Sequence, residues 1–215
     1  MKTTDLELLD DVRLLETWKQ ASKEGAEVRE WYRILYAPIL KEKVMLDVGS
    51  GFGIDSIGFA QSGARVTFLD IVESNLRVLR RVCGLLGLRN VDFCYLQDSR
   101  SLARLGAFDV VWCQGSMICA PFEVARGESQ ELLKHLRPGG RWIELAYPKV
   151  RWEREGRLPF DKWGSKTDAS APWMEWYDLE KLKKRLEPAK FRTVLEFEFH
   201  NRDFNWFDLV REGTA

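Results

Sequence analysis

The residues best suited to chemistry stand in the run Asp47-Val48-Gly49-Ser50-Gly51-Phe52-Gly53. Three alternating glycines permit positive φ and let a backbone pass close to a ligand. A helix starting just after them would offer free N–H groups. A crevice of this kind usually receives a ligand that carries adenosine. The spacing departs from the dinucleotide pattern G-x-G-x-x-G, because Ile54 takes the sixth position and the glycine falls one residue early at Gly53. No G-K-[ST] follows the glycines, so the run is not a P-loop. Two further acids fit the same ligand. Asp70 follows Gly49 by twenty-one residues, where a carboxylate can accept both hydroxyls of a ribose. Asp98 stands after a third apolar run, where a side chain can meet an adenine amino group. Taken alone, the glycines would suit an ordinary tight turn and Asp98 a solvated loop.

These groups need rigid elements to hold them. Val44–Val48 reads as a buried strand stopped by Gly49, and residues 54–61 as a helix. Ala64–Leu69 gives a second strand ending at Asp70. Ser74 can cap a helix that carries Leu76, Leu79, Val82 and Leu86 and that stops at Gly87. Val91–Leu96, Phe108–Trp112 and Trp142–Ala146 read as further strands, and Gly127–Leu136 as a helix ended by Arg137-Pro138-Gly139-Gly140. The apolar runs are continuous rather than alternating, which indicates strands covered on both faces of a parallel sheet. Strands alternating with helices imply an α/β sandwich. Ahead of this lie helices over residues 5–40, with apolar positions Leu8, Leu9, Val12, Leu15, Val28, Trp31 and Leu35, a separator at Gly25 and an end at Pro38. After it come the aromatic segment 147–178, a helix over Leu179–Leu186, and an antiparallel hairpin of Phe191–Phe199 and Phe204–Val210.

Together, Asp47-x-Gly49-x-Gly51-x-Gly53, Asp70, Asp98, Phe108-Asp109-Val110-Val111 and Leu136–Gly140 resemble the class I S-adenosylmethionine-dependent methyltransferases. The resemblance covers roughly residues 40–147 and the terminal hairpin. It implies a three-layer α/β sandwich whose seven-stranded, mostly parallel sheet has the order 3-2-1-4-5-7-6, with strand 7 antiparallel. One domain over 1–215 is expected, with a helical cap at 1–40, a cofactor core at 41–146, a substrate or lid segment at 147–190 and a hairpin at 191–215. The resemblance also implies S-adenosyl-L-methionine as cofactor and S-adenosyl-L-homocysteine as product. Gly49, Ser50, Gly51 and Gly53 would approach the methionine part, with Asp47 setting the loop or meeting the amino group through water. Asp70 would bind ribose, Ile71 would cover adenine, Asp98 and Ser99 would meet its edge, and Cys113 would line the site. Leu136–Gly140 would be a helix stop and a turn.

Methyl transfer from a sulfonium is an in-line displacement that asks the protein to position a nucleophile and exclude water. It demands no metal, and a base helps only where the nucleophile arrives protonated. The acceptor groups should gather where parallel strands end: Cys113-Gln114-Gly115-Ser116 after strand four, Glu144 and Tyr147 at strand five, and His200 after strand six. His200 is the better general base of the two histidines, with a backbone-bonded turn residue as the alternative. Glu144 is its rival, as a base or as an ion-pair partner. Four of the nine tryptophans fall in residues 147–178, where Tyr147, Trp152, Trp163 and Trp173 could face a flat or cationic acceptor or could pin a lid.

Composition narrows the partners. Thirty-three basic and thirty-three acidic residues cancel, so no global basic field favours nucleic acid. The stretch after strand four also lacks the Asn/Asp-Pro-Pro-Tyr/Phe motif of many nucleic-acid and protein N-methyltransferases. The acidic start MKTTDLELLDD is unlike a signal peptide, and no stretch reaches a membrane span. Cys83, Cys94, Cys113 and Cys119 form no C-x-x-C pair and suit a reducing compartment. The expectation is a cytoplasmic enzyme that methylates N or O of a small metabolite. The alternatives are a protein or RNA acceptor, a non-catalytic cofactor-binding subunit, and a nucleotide-sugar or nicotinamide enzyme, the last opposed by Ile54. Acceptor identity and oligomeric state are not legible.

Overall fold

The computed structural model describes residues 3–167 and 171–213. The chain divides into two compact units, residues 1–104 and 105–215. The first holds α1 (Thr3–Glu7), α2 (Asp11–Glu24), α3 (Ala26–Leu40), β1 (Val44–Val48), α4 (Ile54–Gln61), β2 (Arg65–Asp70), α5 (Glu73–Leu85), β3 (Val91–Tyr95) and α6 (Ser99–Leu102). β2 pairs in parallel with β1 and with β3. Met45, Leu46, Phe68, Leu69, Leu79 and Val82 are buried in its core. Because the three strands run the same way, Gly49, Asp70 and Leu96 follow one another along a single edge.

The second unit holds β4 (Phe108–Gln114), α7 (Phe122–Leu133), β5 (Leu136–Ala146), α8 (Lys149–Arg154), α9 (Phe160–Trp163), a 3-10 turn (Gly164–Lys166), α10 (Leu179–Leu186), β6 (Phe191–Phe199) and β7 (Phe204–Arg211). β4 and β5 are parallel, while β7 runs antiparallel to both β5 and β6. The C-terminal ends of β4, β5 and β6 therefore share an edge. Hydrogen-bonded strands give a seven-stranded sheet of order β3-β2-β1-β4-β5-β7-β6, with β7 the antiparallel member and helices around it. This is the architecture that the motif resemblance implies.

Local differences have local causes. The α3 helix runs through Pro38 to Leu40, since a proline three residues from the end forfeits one helical bond while Tyr36 and Leu40 bury their side chains. The buried face of the N-terminal helices is Leu6, Leu14, Trp18, Tyr32 and Tyr36, leaving Leu8 86%, Val12 68% and Leu35 42% exposed. Polar contacts set that rotation. Arg77 binds Glu7, Arg81 binds Asp11 and the Leu9 carbonyl, and the Trp18 indole donates to the Phe52 carbonyl at 3.2 Å. Ser74 lies inside α5 and does not cap it. The N–H of Val72, the residue ahead of the helix, is instead taken by Asp70 at 2.8 Å. The helix expected at 127–136 starts earlier, at Phe122 after Pro121, and ends at Leu133.

Leu136–Gly140 is not a helix stop but the start of β5. The register jumps there from Phe108↔Leu136 to Val110↔Arg141, so the segment bulges out of the ladder. Gly139 has φ +75°, and a Cβ on Gly140 would meet the Asp109 carbonyl at 3.0 Å, which explains the paired glycines. Arg137 bonds Asp109 at 2.7 Å across the bulge.

Candidate functional site

In the first unit the glycine run is a left-handed turn. Gly49, Gly51 and Gly53 have φ of +70°, +52° and +62°. Two of the glycines are required for different reasons. A Cβ on Gly53 would stand 2.4 Å from Leu79 Cδ2, so this glycine lets the turn sit on α5. A Cβ on Gly51 would meet nothing within 4 Å among the described residues, so its freedom serves the turn shape and leaves open space beside the backbone. The turn is closed by Gly49 N–H donating to Leu69 O at 2.8 Å and Gly53 N–H donating to Ser50 O at 2.8 Å. Ser50 Oγ donates to the Asp47 carbonyl at 3.0 Å.

Asp70 organises the same edge. It is buried and accepts from Gly51 N–H at 3.1 Å, Val72 N–H at 2.8 Å and Asn75 Nδ2 at 2.9 Å. A carboxylate has about four acceptor positions, so roughly one remains for a ligand hydroxyl. Ile71 next to it is 69% exposed, an apolar side chain left uncovered at the turn. Asp98 is exposed and accepts from Ser101 N–H at 3.2 Å. Ser99 opens α6, and its side chain lies outside the described residues.

Asp47 is 5% exposed. Burial pushes its carboxyl up to about 7; the carboxylates of Asp55 and Asp70 add to the rise, and hydrogen bonds from Ser56 and Ser50 oppose it. Such a group is poised to ionise when a cation arrives. Asp55, in the first turn of α4, was not singled out by the sequence. It is buried and bound by Arg29 Nη1 at 2.8 Å, Arg33 Nε at 2.8 Å and the Tyr32 hydroxyl at 3.0 Å. This ties α3 to the helix behind the glycine turn. The available signal was an acid at a helix start and two arginines spaced i, i+4 on one helix face.

The second unit carries the residues expected to meet an acceptor. Cys113 is fully buried inside β4, in register with Glu144, and so on the same face of the sheet. Gln114 ends β4 in register with Leu145, on the other face. Both polar atoms of its amide are buried without a hydrogen-bond partner among the described residues. Ser116 is half-buried in the loop that follows, where its carbonyl accepts from Cys119 N–H at 3.2 Å.

Glu144 Oε2 accepts from Trp142 Nε1 at 2.8 Å and from Arg185, both groups being fully buried. The Arg185 guanidinium also lies 4.6 Å from the Tyr177 ring centroid. Burial works against the charge of Arg185, and Glu144 and Tyr177 outweigh it, so the guanidinium stays protonated. Arg185 had no sequence signal, because its partner is 41 residues away. His200 stands in the tip of the β6–β7 hairpin, exposed, its ring 5.8 Å from that of Phe204. His200, Asn201 and Arg202 all have positive φ, of +51°, +55° and +61°. Arg154 holds the tip through the Asn201 carbonyl and Asp203.

The aromatic residues of 147–178 mostly satisfy one another. Tyr147 meets Trp163 and Phe204, Trp152 meets Phe160 and Trp176, and Trp173 meets Phe160. Trp163 donates to Glu155 and Trp152 to the Leu158 carbonyl, each at 2.7 Å. Cations of the same unit already lie on these faces: Lys181 at 4.3 Å from the Trp176 centroid, Lys149 at 5.4 Å from the same ring, and Arg151 at 3.9 Å from Tyr147. Residues 168–170 of this segment lie outside the described residues.

A family profile described as a methyltransferase domain matches residues 45–140. The chain is 34% identical over 100 residues to the ubiquinone biosynthesis O-methyltransferase of Idiomarina loihiensis, across 46% of this chain and 40% of that protein. It is 33% identical over 124 residues to the demethylmenaquinone methyltransferase of Clavibacter sepedonicus, across 56% of this chain and 48% of that protein. The chain thus spans less than half the length of these curated relatives. Among solved structures, magnesium protoporphyrin IX methyltransferase from Synechocystis PCC 6803 with bound SAH aligns with a TM-score of 0.63 at 23% identity, covering 94% of this chain and 86% of that one. That likeness is one of fold. The sheet order and the profile match over its glycine turn make the chain similar, over residues 45–140, to the methyltransferase domain.

Proposed function

We propose that the chain, working as one methyltransferase domain, transfers a methyl group from S-adenosyl-L-methionine to N or O of a small-molecule acceptor. The observation that carries this reading is the glycine turn, with open space at Gly51 and with Asp70 accepting the Gly51 N–H. The residues present fit the cofactor. Gly49, Ser50, Gly51 and Gly53 would hold its amino-acid end, and Asp47 would face the ammonium group. The remaining acceptor position of Asp70 would take one ribose hydroxyl, exposed Ile71 would cover adenine, and Asp98 with Ser99 would meet the base edge. When bound, the cofactor supplies an electrophilic methyl on a sulfonium. The protein orients the acceptor in line and excludes water.

Support for a small acceptor comes from the zero net charge and from the two relatives, whose names are those of quinone-pathway methyltransferases. Gln114, Ser116, Tyr147, Trp152, Trp163 and Trp173 are the proposed acceptor contacts. Trp163 is fully buried and Tyr147 nearly so, which leaves half-buried Trp152 and Trp173 as the surfaces a ligand can reach. His200 is the proposed proton acceptor. Glu144, bound by Arg185 and Trp142, takes the ion-pair role. Four free thiols support a reducing, cytoplasmic setting, and no helix among the described residues is long and apolar enough to cross a membrane.

The deciding experiment is titration of the chain with S-adenosyl-L-homocysteine by calorimetry and thermal shift. Ligand at a hundred times its Kd should stabilise by about 2.7 kcal/mol, a Tm rise of roughly 5–10 °C for a chain of this size. A flat melt and no heat at millimolar ligand would refute the reading.

A further inference from the structure

The amide of Gln114 is the least explained polar group near the proposed acceptor contacts. Its Oε1 and Nε2 are both buried, and neither has a hydrogen-bond partner among the described residues. The backbone around it is satisfied, since Gly115 N–H donates to Leu145 O at 3.0 Å and extends the parallel ladder by one step. Gly115 then turns the chain at φ +74°, with nothing among the described residues within 4 Å of where its Cβ would be. On the same face of the sheet lie the register partners Leu145 and Trp206 and, two residues back, Trp112, whose ring meets Trp206 at 5.5 Å. A buried amide loses about 1–3 kcal/mol for each unsatisfied polar atom. Leucine or methionine would fit such a wall without that penalty.

We infer that Gln114 reads the acceptor, which presents a neutral hydrogen-bond donor and acceptor side by side, as in a carboxamide, a lactam or a hydroxy-carbonyl. The chemistry follows from the amide. Nε2–H needs an acceptor and Oε1 needs a donor. A carboxylate or a simple ketone supplies only acceptors and leaves Oε1 stranded. An ammonium supplies only donors and leaves Nε2–H stranded. A cationic acceptor is disfavoured a second time, because Lys149, Lys181 and Arg151 already cover the faces of Trp176 and Tyr147. This corrects the weight that the aromatic content alone gives to a cationic substrate. The inference rests on the methyltransferase reading and adds to it the chemical class of the acceptor.

The test uses the full chain saturated with S-adenosyl-L-homocysteine and three probes of one shape: benzamide, acetophenone and benzoate. Their binding is followed by ligand-observed NMR. Benzamide should bind at least five-fold more tightly than either of the others. In Gln114→Met the gap should close, with homocysteine-cofactor affinity as in the wild type. The same variant without probe should melt at or above the wild-type temperature, because it removes an unsatisfied amide. Gln114→Leu repeats the measurement if the longer side chain disturbs the fold. Equal or absent binding of the three probes by the wild type overturns the inference. So does a benzamide preference that survives both substitutions. A lower Tm in both variants also overturns it, since it would mean that ordered water already satisfies the amide. Failure to bind S-adenosyl-L-homocysteine at the outset is a separate result that overturns the cofactor reading instead.

Discussion

At the residue scale, two buried carboxylates of the chain behave in opposite ways, and each gives a test. Among the described residues Asp47 has no basic partner, and burial raises its carboxyl well above the ordinary carboxylate range, to about 7. The folded state therefore holds a proton that the unfolded chain releases. Its contribution to stability is complete below pH about 4 and is lost as pH rises toward 7, at up to roughly 1.4 kcal/mol per pH unit. A cofactor ammonium beside it would draw the proton off. Calorimetry at pH 6 in buffers of differing ionisation enthalpy should show release of most of one proton per ligand, and Asp47→Asn should abolish that release. Glu144, by contrast, shares a buried ion pair with Arg185. Glu144→Gln leaves a buried cation without a counter-charge and should cost about 3–5 kcal/mol in denaturant melts. Glu144→Leu with Arg185→Met should recover most of that stability. If the double variant also keeps turnover, Glu144 has no catalytic part. Asp47 was legible in the sequence because it belongs to a contiguous motif. Arg185 was not, because a pair formed by residues 41 apart leaves no local spacing to read.

At the scale of elements, the glycine turn and the hairpin tip separate shape from function. Gly53→Ala adds a Cβ driven into Leu79 to left-handed strain at φ +62° and should destabilise by about 2–5 kcal/mol. Gly51→Ala meets nothing within 4 Å among the described residues, so it should cost only about 1–2 kcal/mol of left-handed strain, while weakening S-adenosyl-L-homocysteine binding at least ten-fold. Equal loss of affinity in the two variants, once corrected for stability, would place the ligand elsewhere. The hairpin tip holds three successive non-glycine residues at positive φ. His200→Gly should therefore raise Tm while removing the imidazole. If turnover across pH 6–8 then matches the wild type, His200 is not the base. The strands and the hairpin were readable because a continuous apolar run or a short turn is a local signal. The rotation of the N-terminal helices was not. Leu8, Val12 and Leu35 have helical spacing, yet the buried face is fixed by Arg77, Arg81 and the Trp18 indole gripping distant backbone and acids.

At the scale of the whole molecule, a chain with equal numbers of acidic and basic residues carries little long-range field. Gel-shift assays with unstructured RNA at 0.1 M salt should show no complex at micromolar protein. Binding that falls steeply with added salt would instead favour the nucleic-acid reading. Much of the architecture was set by sequence alone. Glycine punctuation and β-run spacing marked the alternating strands and helices of a parallel sheet, because each signal spans fewer than ten residues and acts through the backbone, while the strand order and the proposed cofactor contacts came from the motif resemblance. The tertiary structure decided what no such window can hold. It turned Leu136–Gly140 from a helix stop into a bulged strand, because pairing with Phe108 and Val110 outweighs the local turn signal. It filled the aromatic faces with the chain's own lysines and arginine. It also left the Gln114 amide without a hydrogen-bond partner among the described residues. Those outcomes depend on which distant groups meet in a desolvated interior, where the energy of a charge or an amide is set by its neighbours in space and not by its neighbours in sequence.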